Sequence, residues 1–466
     1  MRYEPISPEL FVENRRRLAA LFPPNSLAVV NANDIYPTNA DGTWPSIVCS
    51  DLFYLSGVEQ EQSILVLYPQ ADDEKHRELL FLREPTAETE LWEGHKLTKA
   101  EARKLTGIQS IHWLSEFPRL FHRLICECDH AYLNTNEHKR AVIEVESREA
   151  RFVADILRQY PLHDFRRLAQ LMHRLRAVKS GQEIELIRKA CDLTKTSFDR
   201  VLRFTRPGVY EYQVEAEFAH TYLSHGGRFA YPPIIATGLN ACCLHYLAND
   251  KPCRAGELLL LDVAGSYANY NSDMTRTIPV SGRFTRRQKQ VYNAVLRTLR
   301  QSIAGLVPGK KLKDWQKEAE AMTERELVNL GILSTRQIKR QDPEQPAVKK
   351  YLPHGVGHPI GLDVHDVGIT TEPIQPGWVM TVEPGIYLPD EGFAVRLEND
   401  VLVTKDQPVD LMADIPIEAD EIEALMNAVP KSLGNTNGNG NGHAEKPAPA
   451  AARLRQVAIN CAGSPA

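Results

Sequence analysis

No stretch of this chain approaches the ~20 consecutive apolar residues needed to span a bilayer. The first residues, Met-Arg-Tyr-Glu-Pro-Ile-Ser-Pro, lack the apolar core of a secretory signal. Cysteine is scarce and irregularly placed, eight in 466 residues, which excludes a disulfide framework. Cys126 and Cys128 form a C-x-C pair and Cys242 and Cys243 are adjacent, but neither has a second pair at zinc-site spacing. A marked excess of one charge is also missing. A net charge of -5 gives neither nucleic acid nor an anionic membrane a basic surface to bind. These absences leave a cytoplasmic protein as the expectation. With 43% hydrophobic and 25% charged residues the chain can build ordinary cores, and its length predicts two domains.

Three short apolar runs near the start read as strands: Ser26–Asn31, Ser63–Leu67 and Glu78–Leu82. Asp51–Gly57 is aromatic-rich and ends on a turn residue, and a charged helix is expected over Glu144–Arg158, stopped by Pro161. No cluster of His, Cys or paired acids stands out before residue 170, so chemistry is expected beyond it. The domain boundary falls between Pro161 and Ser180, giving domains at 1–170 and 171–429. From residue 430 to 466 a Gly/Asn repeat and a Pro/Ala run predict a disordered tail.

The second domain repeats a plan. Ser180–Glu183 is a capping box opening a helix through Ile184, Ile187, Cys191, Phe198 and Val201. A second helix near Tyr210–Ser224 stops at Gly226-Gly227, and a hairpin follows. Thr285–Gln288 is another capping box, opening a helix through Val291, Val295 and Leu299. A helix over Leu312–Leu330 comes next, then strands at Val379–Glu383 and Phe393–Thr404. Helix, helix, hairpin, twice over, predicts two similar halves facing each other.

The first hairpin carries two acids. Leu258–Leu261 leads into Asp262, Ser266–Asn269 is small and polar, and Asp273 lies in the returning segment. A turn centred between Tyr267 and Ala268 would set the two directly opposite, Cβ atoms roughly 5 Å apart on one face. Carboxylates that close repel unless one is protonated or a cation lies between them. The ordinary reading is that one is solvated and the other caps a turn.

Further ionisable residues occupy unusual settings. His245 follows small and apolar residues in Ala241–Tyr246. His354 and His358 are four apart, but two glycines intervene and no Glu does, which predicts a loop or strand and not a zinc-protease helix. Only one of that pair need bind metal. His365 lies in Gly361–Asp366, Glu383 ends an apolar strand, and Glu398 interrupts another with Arg396 two residues earlier on the same face. Singly, each has an ordinary reading: a hydrogen-bonded core histidine, a strand-end acid in water, an ion pair with Arg396. Together, four acids and a histidine interrupting apolar strands in two matching halves would be very costly to bury without a cation. The oxygen-rich set suits two Mn²⁺-like ions better than structural zinc. Two ions ~3.5–4 Å apart can support hydrolysis of a carbonyl compound.

These motifs resemble those of the pita-bread metallopeptidases of family M24, and within them the aminopeptidase P (Xaa-Pro aminopeptidase) family. The resembling segments are Leu261–Gly265 with Ser272–Thr277, His354–His358, Gly361–Gly368, Thr381–Tyr387 and Val395–Asp400. Ser50–Gly57 and Thr86–Trp92 resemble that family's N-terminal domain, and Ile415–Met426 the close of its catalytic domain. The resemblance implies an α/β N-terminal domain of the creatinase/aminopeptidase P type, followed by an α+β pita-bread catalytic domain with pseudo-twofold halves. It implies that Asp262, Asp273, His358, Glu383 and Glu398 bind two divalent metal ions, expected to be Mn²⁺, with Asp273 and Glu398 bridging. A metal-bridging hydroxide would then hydrolyse the first bond of peptides with proline at position 2. His245, His354 and His365 would line the substrate site, Glu383 would shuttle the proton, and Arg396 would join the catalytic set. A homo-oligomer, dimer or tetramer, is implied, with Trp92 as an apolar wall from a neighbouring subunit.

Pro359-Ile360 departs from the bulkier pair expected after the ligand histidine, and the tail has no counterpart in the family. Prolidase, an X-Pro dipeptidase on the same fold, is the nearest alternative. The segment between His365 and Glu383 contains no Lys or Arg to clamp a dipeptide carboxylate, which favours the aminopeptidase. A non-enzymatic peptide- or protein-binding relative is a remote alternative, because all five ligand positions are filled. The large N-terminal domain disfavours methionine aminopeptidase.

Overall fold

The early apolar runs assemble into a mixed six-stranded sheet. Ser26–Asn31 lies at its centre, antiparallel to Ile64–Leu67 and parallel to His130–Leu133. Glu78–Leu82 and Ser110–Trp113 extend one side and Asp164–Arg167 the other. The central strands are buried on both faces, which is why they read as continuous apolar runs without alternation. The structure, a computed structural model, describes residues 2–141 and 144–428, so the tail expected from residue 430 lies outside it.

The aromatic-rich segment is a helix, Ser50–Ser56, closed by Gly57 in the left-handed conformation at φ 70°. The ring of Phe11 packs so closely there that a Cβ on Gly57 would meet it at 2.4 Å. The charged helix starts later than expected and spans Arg148–Gln159, because the Ser147 side chain accepts the Ala150 N–H and sets the first turn.

Both capping boxes form, opening helices Gly181–Phe204 and Arg286–Ala304. Glu211–Ser224 and Leu312–Asn329 complete the two helix pairs. Each pair precedes a hairpin, so the repeated plan is present. Met1–Asn427 form one compact unit. Among the described residues no helix is long and apolar enough to cross a membrane.

The first hairpin pairs Leu258–Asp262 with Thr275–Pro279, and at its tip Gly265–Tyr267 with Tyr270–Asn271. Asp262 faces Thr275, not Asp273. The turn lies between Ala268 and Asn269, whose φ values of 50° and 66° belong to the two-residue turn that matches strand twist. That centre is one residue later than expected. Such a slip moves the partner by two positions and leaves both acids on one face, as diagonal neighbours.

The second hairpin is interrupted. Val379–Val382 ends within a residue of its expected end, but the expected strand Phe393–Thr404 splits: Asn399–Leu402 pairs with Val379–Val382, and Phe393–Arg396 with a strand not expected, Gly385–Leu388. The ladders on either side of the break share one register, Val382 facing Asn399 and Gly385 facing Arg396. Glu383 and Glu398 therefore lie across from each other in the gap.

Candidate metal centre

Two hairpins and one loop deliver the five expected ligands. Asp262 ends a buried strand whose apolar run packs in the core. Asp273 precedes the returning strand, and its N–H donates to Asp400 Oδ2 at 3.0 Å. Glu398 leaves its own ladder: its N–H donates to the Thr275 carbonyl at 3.0 Å, stitching the second hairpin to the first. The Glu383 N–H donates to the Val356 carbonyl at 2.9 Å, tying that acid to the His354–His358 segment, which of the expected loop or strand is a loop.

Ligand atoms of Asp273, His358 and Glu398 lie within 4.8 Å of one another, all three residues buried. His358 Nε2 is 3.5 Å from Asp273 Oδ2 and 3.8 Å from Glu383 Oε1. The His358 Nδ1–H donates to the Pro359 carbonyl at 3.0 Å, so Nε2 keeps its lone pair and faces the acids. Asp262 shares a partner with Asp273: the Tyr231 hydroxyl is 2.6 Å from Oδ1 of each. One hydroxyl proton can serve only one of those carboxylates.

The electrostatics are those of a site built for cations. Burial, then Glu398, Asp262 and Asp400, push Asp273 well above the usual carboxyl range. Burial and Glu398 do the same to Glu383, and burial and Asp262 raise Glu398 to about 7. Burial, with His365 next, lowers His358 to about 3, so its imidazole is neutral. Hard oxygen donors that resist ionisation together, beside one neutral imidazole, fit a divalent cation.

Around this point stand the other candidates. Arg396 does not pair with Glu398. Its guanidinium donates to Asp262 Oδ2 at 2.5 Å and to the Tyr387 hydroxyl at 2.6 Å, while Thr275 Oγ1 accepts from Arg396 and donates to Glu398. Tyr387 in turn lies 2.8 Å from His354 Nε2, and His354 Nδ1 donates to the Gly355 carbonyl at 2.7 Å. That pairing makes Nε2 the acceptor, and burial, with Arg396, lowers His354 to about 4. The His365 ring sits 4.3 Å from the His358 ring, edge to face. Partial desolvation and the Arg140 guanidinium lower His365 to about 4. His245 lies in an exposed turn, not a strand, close enough for its charge to act on His354 and His365.

Tyr231, Asp400 and Arg140, like Thr275 and Tyr387, belong to the site but were not singled out from sequence. Tyr231 stands in a bend immediately before Pro232-Pro233, three residues before the strand partner of Asp262. Asp400 was visible as a second acid in the strand after Glu398. Arg140 had no local signal: it is 225 residues from His365, whose Nδ1 accepts its N–H at 3.2 Å. The stretch before residue 170 therefore does reach the site.

The chain matches the family model for metallopeptidase family M24 over residues 185–405 and that for the aminopeptidase P N-terminal domain over residues 11–132. The Escherichia coli Xaa-Pro aminopeptidase is 32% identical over 445 residues, covering 91% of this chain and 99% of that protein. The chain belongs to metallopeptidase family M24. Human Xaa-Pro aminopeptidase 3 is 33% identical, over 85% of this chain and 80% of its own length. The solved zinc-substituted E. coli aminopeptidase P, in complex with product, superposes with a TM-score of 0.81 at 30% identity, over 91% of this chain and 99% of that one. The pita-bread halves and the six-stranded N-terminal sheet of this M24 chain are thus a shared architecture.

Proposed function

We propose that this chain is an Xaa-Pro aminopeptidase with a two-metal centre, removing the first residue from peptides whose second residue is proline. The observation that carries the reading is the convergence of Asp262, Asp273, His358, Glu383 and Glu398 on one buried point. The relatives named Xaa-Pro aminopeptidase support it. All five would hold two divalent ions, Mn²⁺ by their donor set. Bound there, such ions would polarise the scissile carbonyl and acidify a water. Residues 1–170 form the N-terminal domain of this enzyme and 171–429 its catalytic domain.

The chain's own groups position and move protons. Glu383, its Oε2 3.6 Å from His354 Nδ1, holds and passes a proton at its carboxylate. His365 accepts from Arg140 at Nδ1, so its Nε2–H is the donor left for a substrate oxygen. Proline lacks the N–H that a peptidase would grip as a strand. The substrate is therefore held by side chains, and His245, His354 and His365 supply them.

One observation favours a second reading, an X-Pro dipeptidase. Arg140 brings to His365 the cation that the segment from His365 to Glu383 lacks, and a free substrate carboxylate calls for such a partner. Steady-state kcat/KM of the Mn²⁺-loaded chain on X-Pro, X-Pro-Y and X-Ala-Y separates the two. The aminopeptidase reading requires X-Pro-Y to be the best substrate. Cleavage of X-Pro alone makes the chain a dipeptidase, and equal cleavage of X-Ala-Y removes the proline argument.

A further inference from the structure

We propose that Arg176 is a positioning residue for catalysis: it holds the loop Gly361–Val367 so that His365 stands against His358, and links turnover to the N-terminal part of the chain. The proposal rests on the reading of His365 as the residue that meets the substrate.

The loop contains no helix or strand, so side chains must fix it. Arg176 does so from the helix Ala169–Ala177, with only 4% of its side chain exposed. Its Nη1 donates to Asp51 Oδ1 at 2.8 Å. Its Nη2 donates to Asp363 Oδ2 at 2.6 Å and to Asp366 Oδ1 at 2.5 Å. One guanidinium nitrogen thus grips the acids on both sides of His365. The second Asp366 oxygen accepts from Lys179 at 3.1 Å, and Asp363 Oδ1 accepts from the Ser50 hydroxyl at 2.8 Å. Two cations meet three carboxylates, one of them, Asp51, on the helix Ser50–Ser56 of the N-terminal part.

The grip extends to the metal centre. The Asp366 N–H donates to the Pro359 carbonyl at 2.9 Å, and that same carbonyl accepts from His358 Nδ1. A Cβ on Gly361 would stand 2.3 Å from Asp366 Oδ2, so the glycine lets the carboxylate lie against the loop backbone. Asn271, from the first hairpin, donates to the carbonyls of Gly361 and Leu362. A buried ion cluster is a poor device for stability alone, since well-packed apolar residues often do as well. Its concentration on Asp363 and Asp366, two residues before and one after His365, points to placement of that ring.

The test is a double-mutant cycle in the full-length, Mn²⁺-loaded protein. Arg176→Gln leaves three carboxylates facing one another and puts folding at risk. Asp363→Ala, at a side chain 47% exposed, is therefore the second variant. Each is made alone and with His365→Ala, and Arg176→Lys tests rescue. Readouts are kcat and KM on an X-Pro-Y peptide, bound metal per chain, and Tm. Asp363→Ala should lower kcat about tenfold and Arg176→Gln by up to roughly 100-fold, with KM and metal content held. Arg176→Lys should recover part of the loss. In the His365→Ala background both changes should cost less than about twofold. Equal losses with and without His365, an effect on KM alone, or unchanged kcat would overturn the proposal. A wild-type kcat for His365→Ala itself would overturn the reading of His365, and the proposal with it.

Discussion

The two hairpins carry their acids differently. In the first, Asp262 and Asp273 share one face as diagonal neighbours, joined by the Tyr231 hydroxyl. In the second, Glu383 and Glu398 lie directly across a gap in the ladder, and each sends its N–H elsewhere. The first ladder also lapses at Asp273, whose N–H goes to Asp400, but Val263 and Ser272 keep backbone bonds across that gap. The break in the second hairpin frees the Glu398 N–H to bond Thr275 of the first, which places Glu398 beside Asp273. The first hairpin is the platform, and the second is the clamp laid over it.

The sharpest way to break this arrangement is at the junction of the two. Asp273→Asn should lower kcat/KM by more than the roughly 10–100-fold typical of groups that only support a metal ligand, with Tm little changed. Steady-state kinetics beside thermal denaturation checks it. Full activity would remove Asp273 from the centre. Next comes the link special to the first hairpin. Tyr231→Phe should cost roughly 10–100-fold in metal affinity or turnover, measured by competition with a chelator. A wild-type affinity would mean that the shared hydroxyl does not hold the pair.

The acids also predict a pH dependence of the metal-free protein. Glu398 is raised to about 7, and Asp273, Glu383 and Asp400 are raised well above their usual range, burial leading in every case. The native state then keeps protons that the unfolded chain releases, so stability falls as pH rises above the ordinary carboxyl range. His354, His358 and His365, lowered to about 4, 3 and 4 from 6.5, oppose this in acid, where the unfolded chain takes up protons that the native state refuses. Above pH 6.5 the histidine contribution ends and the acids alone act. Tm of the chelated protein should fall there with rising pH. Saturating Mn²⁺ should abolish the fall, and Glu398→Gln should reduce it. A flat profile would contradict the raised carboxyl groups.

The smallest effect belongs to the tip of the first hairpin. Ala268 holds φ 50°, a conformation that costs an L side chain free energy and glycine none. Ala268→Gly should raise stability by less than about 1 kcal/mol, the lost buried methyl offsetting part of the gain, and leave kcat/KM unchanged. A marked drop in activity would show that the turn shapes the site directly.

Much of this was legible in the sequence because it is local. Capping boxes, apolar periodicity and glycine stops located the helices near their observed ends, and acids interrupting apolar strands marked the centre before any geometry. The hairpin register was read one residue early because Ala-Asn is a weak signal for a turn that favours Asn-Gly or Asp-Gly. The end of one strand at Glu383 was readable, but the break at Glu398 was not, since it depends on the Glu398 N–H finding Thr275. Arg140 and Arg176 were silent for a related reason: each acts on a loop about 190 residues or more away. Long-range ion pairs leave no periodic trace in a chain.

The most direct measurement is a titration of Mn²⁺ into metal-free protein, counting ions bound per chain by calorimetry and elemental analysis. If both hairpins build one centre, the wild type binds two ions and regains peptidase activity, and Asp273→Asn and Glu398→Gln each impair binding although they lie on different hairpins. A stoichiometry of one or none, or binding indifferent to loss of the acid from either hairpin, would contradict the account.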